Sequence, residues 1–342
     1  MFENLKRDIA IDFGTATVLV YVEGRGIVLK EPSVVAIDVS TDRVVKVGQD
    51  ALDMLGRTPE HIKAIRPMKD GSISQYEVTL QMLKYFIRRA CGKTWIPPRV
   101  MITVPSRITD VEMRAIMDAS REAGARRTYL IEEAKAAALG ADMDITSAEG
   151  SMIVNIGGGV TDVAVLSMGG IVVSDSIQVG GDRFDEAIVS YVRRRYGILI
   201  GERTAEDIKI RIGEVFKHDK PLYMRVCGRS LSEGTPKEIV LSSKEILEAV
   251  TEPMTAILDS ICMIVETMPN ELLTRISQQG MVLTGGGSLL HGLDRLIEYV
   301  TRIPVRLARK PISSAVLGAG KMLKHLDNMP EGVVNLPVST RS

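Results

Sequence analysis

The stretch MIVNIGGGVTDVAVLSMGGIVV (Met152–Val173) sets three consecutive glycines between two apolar, β-branched runs. An apolar run, a glycine turn and a second apolar run read as a β-hairpin, and Gly170 opens a further strand. The stretch has a counterpart near the N-terminus, IAIDFGTATVLVYVEGRGIVL (Ile9–Leu29). With Asp12 set on Asn155, an offset of 143 residues, Gly14 falls on Gly157 and Thr15 on Gly158. Farther on, Gly26-Ile27-Val28 falls on Gly170-Ile171-Val172 at an offset of 144. A single echo at that separation predicts two related domains, since solenoid arrays repeat every 20–50 residues or so.

Both turns suit the same ligand chemistry. Backbone N–H groups that converge with no Cβ between them cradle phosphate oxygens. Thr15, Thr17 and Thr161 add hydroxyl donors, and Asp12 is placed to hold Mg²⁺ through waters. Two such hairpins facing each other clamp a polyphosphate from both sides. A third cluster, MVLTGGGSLLHGLDRLI (Met281–Ile297), runs from an apolar strand into Gly285-Gly286-Gly287-Ser288. It predicts an amphipathic helix carrying Leu289, Leu293 and Leu296, with a nucleotide seat at its N-terminus. G-x-x-x-x-G-K-[ST], H-E-x-x-H and G-x-S-x-G are all absent, which removes P-loop, zincin and serine-hydrolase readings.

Composition narrows the class. The 342 residues are 45% hydrophobic, with 43 basic and 43 acidic side chains, so no electrostatic argument favours nucleic acid. The cysteines, Cys91, Cys227 and Cys262, are scattered, which argues against a disulfide framework or a zinc site and fits a reducing cytosol. The first residues lack the apolar core of a secretory signal, and no run is long enough to span a bilayer. The segment after Asp327 has no helical period and is expected to be mobile.

Between the hairpins the pattern is β-α-β-α, that of a parallel sheet with crossovers. A strand over Val100–Val104 precedes a helix from Asp110 to Ala123 with Val111, Ile116 and Ala119 inward. The strand TYLI then leads to Glu132-Glu133 and an alanine-rich helix ending near Gly140. Later, Phe184, Ile188, Val192 and Tyr196 mark one helix. Thr204 is the expected N-cap of another. A long helix from Ser243 to Glu266 buries Ile246, Val250, Met254, Ile257, Ile261 and Val265, with a kink expected at Pro253.

DFGTAT, EPSVVAI, LGRTP, IRPMKDG, GGDRFDEAI, IGERTAEDIKIRIG and LTGGGSLL together resemble the MreB family of bacterial actin homologues, from Asp8 to Leu326. The resemblance implies an actin-like fold, shared with heat-shock chaperone ATPases and sugar kinases: two related α/β halves with ATP and Mg²⁺ in the cleft between them. It implies subdomain IA over 1–32, 70–144 and 318–342, IB over 33–69, IIA over 145–181 and 253–317, and IIB over 182–252. It places the phosphates on Gly14, Thr15, Ala16 and Thr17 and on Gly157, Gly158 and Gly159. Glu206, Asp207, Ile208 and Lys209 then lie by the ribose and adenine, and Gly285, Gly286, Gly287 and Ser288 by the nucleoside. Glu133 orients the attacking water, Thr161 stands near the terminal phosphate, and Asp12 and Asn155 hold Mg²⁺ through water.

Three departures from the family pattern stand out. Asn155 and Asp162 stand where its members usually carry Asp and Glu, and Ala134-Lys135 replaces a proline and an apolar residue. An amide brings no negative charge to the metal, so slow ATP hydrolysis is expected. The resemblance also implies antiparallel double protofilaments on the inner face of the cytoplasmic membrane. There they guide lateral cell-wall synthesis with RodZ, MreC and MreD. Trp95 and Ile96, on a loop before Pro97-Pro98, match an apolar membrane-dipping pair, flanked by Lys93 and Arg99 and aided by Phe2 and Leu5. The competing readings are a small-molecule kinase, which lacks an inserted sugar pocket; a chaperone ATPase, which lacks a peptide-binding domain; and a paralogue that binds ATP without hydrolysing it.

Overall fold

The computed structural model describes residues 7–334 except 42, 55–60, 70, 71, 74, 93 and 217–219. Phe2, Leu5 and Lys93 therefore lie outside the described residues. The two quoted stretches form the same three-stranded unit. Strands Ile9–Phe13, Thr17–Val22 and Gly26–Pro32 make the first; Ser151–Ile156, Thr161–Ser167 and Gly170–Ile177 make the second. Phe13 pairs with Val18 and Ile156 with Thr161, so both tight turns have the same length and register. Each outer hairpin carries a bulge that skips one residue, Val28 in the first and Val172 in the second. Those are the residues that the sequence echo superposes.

Each unit continues into parallel strands. The first sheet runs Arg127–Glu132, Arg99–Val104, Ile9–Phe13, Thr17–Val22, Gly26–Pro32, and the second Val305–Leu307, Met281–Thr284, Ser151–Ile156, Thr161–Ser167, Gly170–Ile177. The orders correspond strand for strand. The first sheet has one more edge strand, Gly332–Val333, parallel to Tyr129–Leu130. The segment after Asp327 is thus docked as far as Val334, whose N–H donates to Leu130 O at 2.8 Å. Its residues had no helical period because two of them extend a sheet.

Central strands of such sheets are covered on both faces and read as continuous apolar runs. Their alternation shows in what each face meets. Ile9 and Ile11 pack with helices Tyr76–Cys91 and Asp110–Glu122, and Met152 and Val154 with helices Gly181–Tyr196 and Ser243–Thr267. The opposite faces, Ala10, Met101 and Ile131 from one sheet and Ile153 and Ala164 from the other, share a single core with helices Glu133–Gly140 and Ser314–Met322. These two helices cross closely. A Cβ on Gly140 would sit 1.8 Å from Ser314 O, and one on Gly318 1.8 Å from Ala136 O, so only glycine fits at either point. Two small antiparallel sheets stand farther out. One comprises Val35–Asp38, Arg43–Val47 and Ile62–Ile65; the other, Ile198–Leu199, Tyr223–Ser230 and Pro236–Ser242.

Several local expectations need correction. Helix Asp110–Glu122 starts with a capping box, in which Glu112 N–H donates to Thr109 Oγ1 (3.3 Å) and Thr109 N–H to Glu112 Oε2 (2.9 Å). Val111 is 77% exposed, because five residues of helix turn it away from the face of the buried Ile116. Thr204 lies inside helix Glu202–Ile212, whose N-cap is Gly201. The long helix begins with a Ser242–Glu245 capping box and runs to Thr267, with Pro253 inside it. After Thr284 comes a 3₁₀ turn, Gly286–Leu289, and the helix starts only at Leu293, beyond Gly292 at φ +76°. Leu289 is therefore outside the helix, and no helix N-terminus follows the third glycine cluster directly.

Candidate functional site

A cavity of about 630 Å³ lies between the halves. That is within the range of small-molecule sites. Gly14, Thr15, Ala16 and Thr17 line it from one side, Gly157 and Gly158 from the other, with Asp12, Asn155 and Glu133 also on its wall. The glycine run has a steric cause. A Cβ on Gly158 would sit 2.6 Å from Ala16 Cβ, and one on Gly159 would sit 2.7 Å from Thr15 Oγ1. The turns touch across the cleft, and the second gives up its side chains so that they can. Its carbonyls point the other way. Gly157 O and Gly158 O accept from Gly181 N (3.0 Å) and Asp182 N (2.8 Å) at the start of helix Gly181–Tyr196. Among the described residues the N–H groups of Gly158 and Gly159 enter none of the backbone–backbone hydrogen bonds of the turn, an arrangement that suits an anion.

The walls are acidic. Asp12 accepts from Thr103 Oγ1 at 2.9 Å. Burial nevertheless pushes its carboxyl up to about 6, against the opposing hydrogen bond. Asp162, paired with Asn155 across the second hairpin, is also pushed up to about 6 by burial; Ser106 N–H donates to its Oδ1 at 3.1 Å. Its Oδ2 is buried without a hydrogen-bond partner among the described residues. Glu133, the first residue of its helix, is raised well above the ordinary carboxylate range, first by desolvation, then by the charges of Asp12 and Asp162. Asn155 Nδ2 donates to Glu133 Oε1 at 2.7 Å and works in the opposite direction. Asp12 and Glu133 on the cavity wall, with the fully buried Asp162 close enough to raise Glu133, form an acidic setting that suits a cationic ligand. Among the described residues no three acidic, His or Cys side chains come close enough to ligate a metal directly. The donor set therefore fits Mg²⁺ held through its waters and the ligand's phosphates, with Asp12 the acid nearest the turns.

On the opposite wall, Glu206 and Lys209 face the cavity with Gly285, Gly286 and Gly287. Lys209 Nζ donates to Asp185 Oδ2 (2.8 Å) and to Gly181 O (3.0 Å). The neighbours of Lys209 diverge from expectation. Asp207 is exposed and pairs with Arg211 (3.1 Å), while Ile208 is fully buried in the core, because a helix offers one residue in three or four to any one face. Ser288 is buried, its hydroxyl donating to Gly285 O at 2.6 Å. Thr161 Oγ1 donates to Val179 O (2.7 Å) and is fully buried off the cavity wall. Gly159 lines a smaller chamber of about 50 Å³ behind the turns. Lys135 is buried and ion-paired with Glu132, away from Glu133.

Leu222, Pro311 and Ile312 also line the wall but carry no motif, and their only signal is hydrophobicity, which the core shares. Leu19, Leu290 and His291 lie within the quoted stretches, where nothing singled them out as wall residues. Asp182 also lines the cavity and meets Arg66 at 3.4 Å, an ion pair between the quoted IRPMKDG and GGDRFDEAI segments. Away from the cleft, Trp95 is 92% exposed and Ile96 half-buried. Arg99 is buried in ion pairs with Asp8 (2.5 Å) and Asp327, so it is not free for headgroups.

Duplicated α/β halves around a cleft, with a glycine hairpin from each half on the cavity, define an actin-like nucleotide-cleft protein. The chain belongs to the MreB/Mbl protein family, whose model matches residues 6–331. It is 51% identical over 333 residues to the cell shape-determining protein MreB of Escherichia coli K12, covering 96% of this chain and 95% of that one. It is 48% identical over 326 residues to cell shape-determining protein Mbl of Bacillus cereus, covering 95% and 98%. MreB5 of Spiroplasma citri bound to ADP superposes with a TM-score of 0.90 at 35% identity, over 95% of this chain and 98% of that one. A second MreB5 structure holds AMPPNP and gives 0.89 at 36%, over 94% and 97%. The MamK double helical filament, at TM-score 0.80, 20% identity and coverage of 93% and 99%, shares the fold.

Proposed function

We propose that this chain is an ATP-binding cytoskeletal protein that polymerises into membrane-associated filaments and organises cell-wall synthesis to maintain rod shape. The observation that carries the nucleotide reading is the contact of the two turns at Gly158 and Ala16, with Asp12 and Glu133 on the wall of the same cavity. The ADP- and AMPPNP-bound relatives support it. The subdomain division given by the resemblance accompanies this reading.

In phosphoryl transfer to water the protein mainly positions groups and stabilises charge. The amides of Gly158 and Gly159 take phosphate oxygens, as do the turn residues Gly14 to Thr17. Bound Mg²⁺ would neutralise phosphate charge, held through water by Asp12. Glu133 orients the attacking water. Glu206 and the Gly285–Gly287 turn flank the nucleoside, and Lys209 is fixed for that wall by Asp185.

No helix among the described residues is long and apolar enough to cross a membrane. Trp95 and Ile96 form the proposed contact with the inner face of the cytoplasmic membrane. One such insertion is weak alone, and assembly into antiparallel double protofilaments multiplies it. RodZ, MreC and MreD enter by resemblance.

The test is phosphate release from Mg-ATP on anionic vesicles as protein concentration rises, with Asp12→Ala as blank. We expect release to switch on above a threshold concentration, and Trp95→Ser to lose vesicle co-sedimentation while still binding ATP. ATP binding with no release above the blank would contradict the ATPase and favour the non-hydrolysing paralogue. Unchanged sedimentation of Trp95→Ser would contradict the membrane contact.

A further inference from the structure

We infer that Asn155 is a positioning residue for Glu133: its amide holds the Glu133 carboxylate toward the nucleotide cavity, a fixed tether that an aspartate at this position cannot supply. The inference rests on the proposed role of Glu133 in orienting water.

The geometry is specific. Asn155 Nδ2 lies 2.7 Å from Glu133 Oε1. An amide nitrogen can only donate, so the Glu133 oxygen is the acceptor. Asn155 is 3% exposed and sits in mid-sheet, paired with Asp162 on one side and Thr284 on the other, so its side chain leaves a rigid base. Glu133 has no such support of its own. It opens an eight-residue helix whose N-cap, Glu132, makes no side-chain cap. The charges of the acids Asp12 and Asp162 act on it unfavourably.

Glu133 also has two places to point. It borders both the nucleotide cavity and the small chamber of about 50 Å³ behind the turns, whereas Asn155 borders only the first. The amide therefore draws the carboxylate to the nucleotide side. An aspartate would replace the fixed amide donor with a second acid, whose contact with Glu133 holds only while the pair shares a proton and otherwise releases Glu133 toward the rear chamber. This reverses the expectation from the sequence that the amide merely weakens a metal site: for this chain the amide aids hydrolysis.

The experiment compares wild type, Asn155→Asp, Asn155→Ala, Glu133→Gln and the Asn155→Ala/Glu133→Gln double variant. Phosphate release is followed at saturating Mg-ATP, nucleotide affinity by displacement of a fluorescent ATP analogue, and the Glu133 rotamer by nucleotide-free crystal structures. We expect both Asn155 variants to lose about tenfold or more in kcat, with affinity and KM changed less than about threefold. The double variant is expected to be no slower than Glu133→Gln, because the two residues act as one unit. The crystal structure of Asn155→Ala should show the Glu133 carboxylate moved from its wild-type position. Asn155→Asp as fast as wild type, or losses that multiply in the double variant, would overturn the inference while leaving Glu133's role intact. A Glu133→Gln protein as fast as wild type, or a wild type that releases no phosphate, would overturn the proposed role and the inference together.

Discussion

The two hairpins share length, register and bulge position, yet they have diverged in what they carry. The first turn keeps side chains, Thr15, Ala16 and Thr17; the second keeps none over Gly157–Gly159. The first strand ends in an acid, Asp12, held by Thr103 Oγ1 at 2.9 Å; the second places an amide, Asn155, on Glu133 at 2.7 Å. A duplicated scaffold has thus become a complementary pair. One side supplies bulk, hydroxyls and charge, the other supplies room, bare amides and a donor. The closeness of the turns, rather than flexibility, explains the glycines.

The sharpest way to break that pair is to put a side chain back. Gly158→Val adds atoms where a Cβ would already be 2.6 Å from Ala16 Cβ. Overpacking of this kind typically costs 1–3 kcal/mol, so nucleotide affinity should fall about 10- to 100-fold while the protein stays folded. Ala16→Gly in the same chain should recover part of the loss. A fluorescent-nucleotide titration checks both, and an unaffected Gly158→Val would show that the turns do not close on the ligand.

A second prediction concerns the buried acids at the cleft. Asp12 and Asp162 have folded-state values pushed up to about 6, above the ordinary 3.8. Carboxylates raised in this way are costly to ionise in the folded state. That cost is absent below the ordinary value and complete above the raised one, so the nucleotide-free protein should grow more stable as pH falls from about 6 to about 4. A shift of roughly two units corresponds to about 3 kcal/mol for one such group as an upper bound. Asp12→Asn should flatten the slope in calorimetry, and an equally steep slope in that variant would contradict its assignment.

The smallest effect separates a threonine that resembles a ligand contact from one that is not on the cavity. Thr161→Val removes the hydroxyl that donates to Val179 O at 2.7 Å. It should cost about 1 kcal/mol of stability and leave ATP affinity unchanged. A selective loss of affinity would return Thr161 to the phosphate site.

Much of this was legible in the sequence. The apolar runs and the offset of 143 set out both hairpins, because strand alternation and turn length are local properties. The loop placement of Trp95 and Ile96 followed from their position before two prolines. What was not legible depends on tertiary contact. Asp207 and Ile208 share a segment with Glu206 and Lys209, but only packing decides which face of that helix meets the cleft. Leu289 continues an amphipathic pattern, yet Gly292 at φ +76° delays the helix. The Asn155–Glu133 bond joins residues 22 apart on a strand and a helix, and no periodicity marks it.

The most direct test of the account is a crystal structure with a non-hydrolysable ATP analogue and Mn²⁺, the metal located by anomalous scattering. The account predicts phosphates between the Gly14–Thr17 and Gly157–Gly159 turns, with the metal within one water of Asp12. Phosphates bound elsewhere in the cleft, or a metal remote from Asp12, would contradict it.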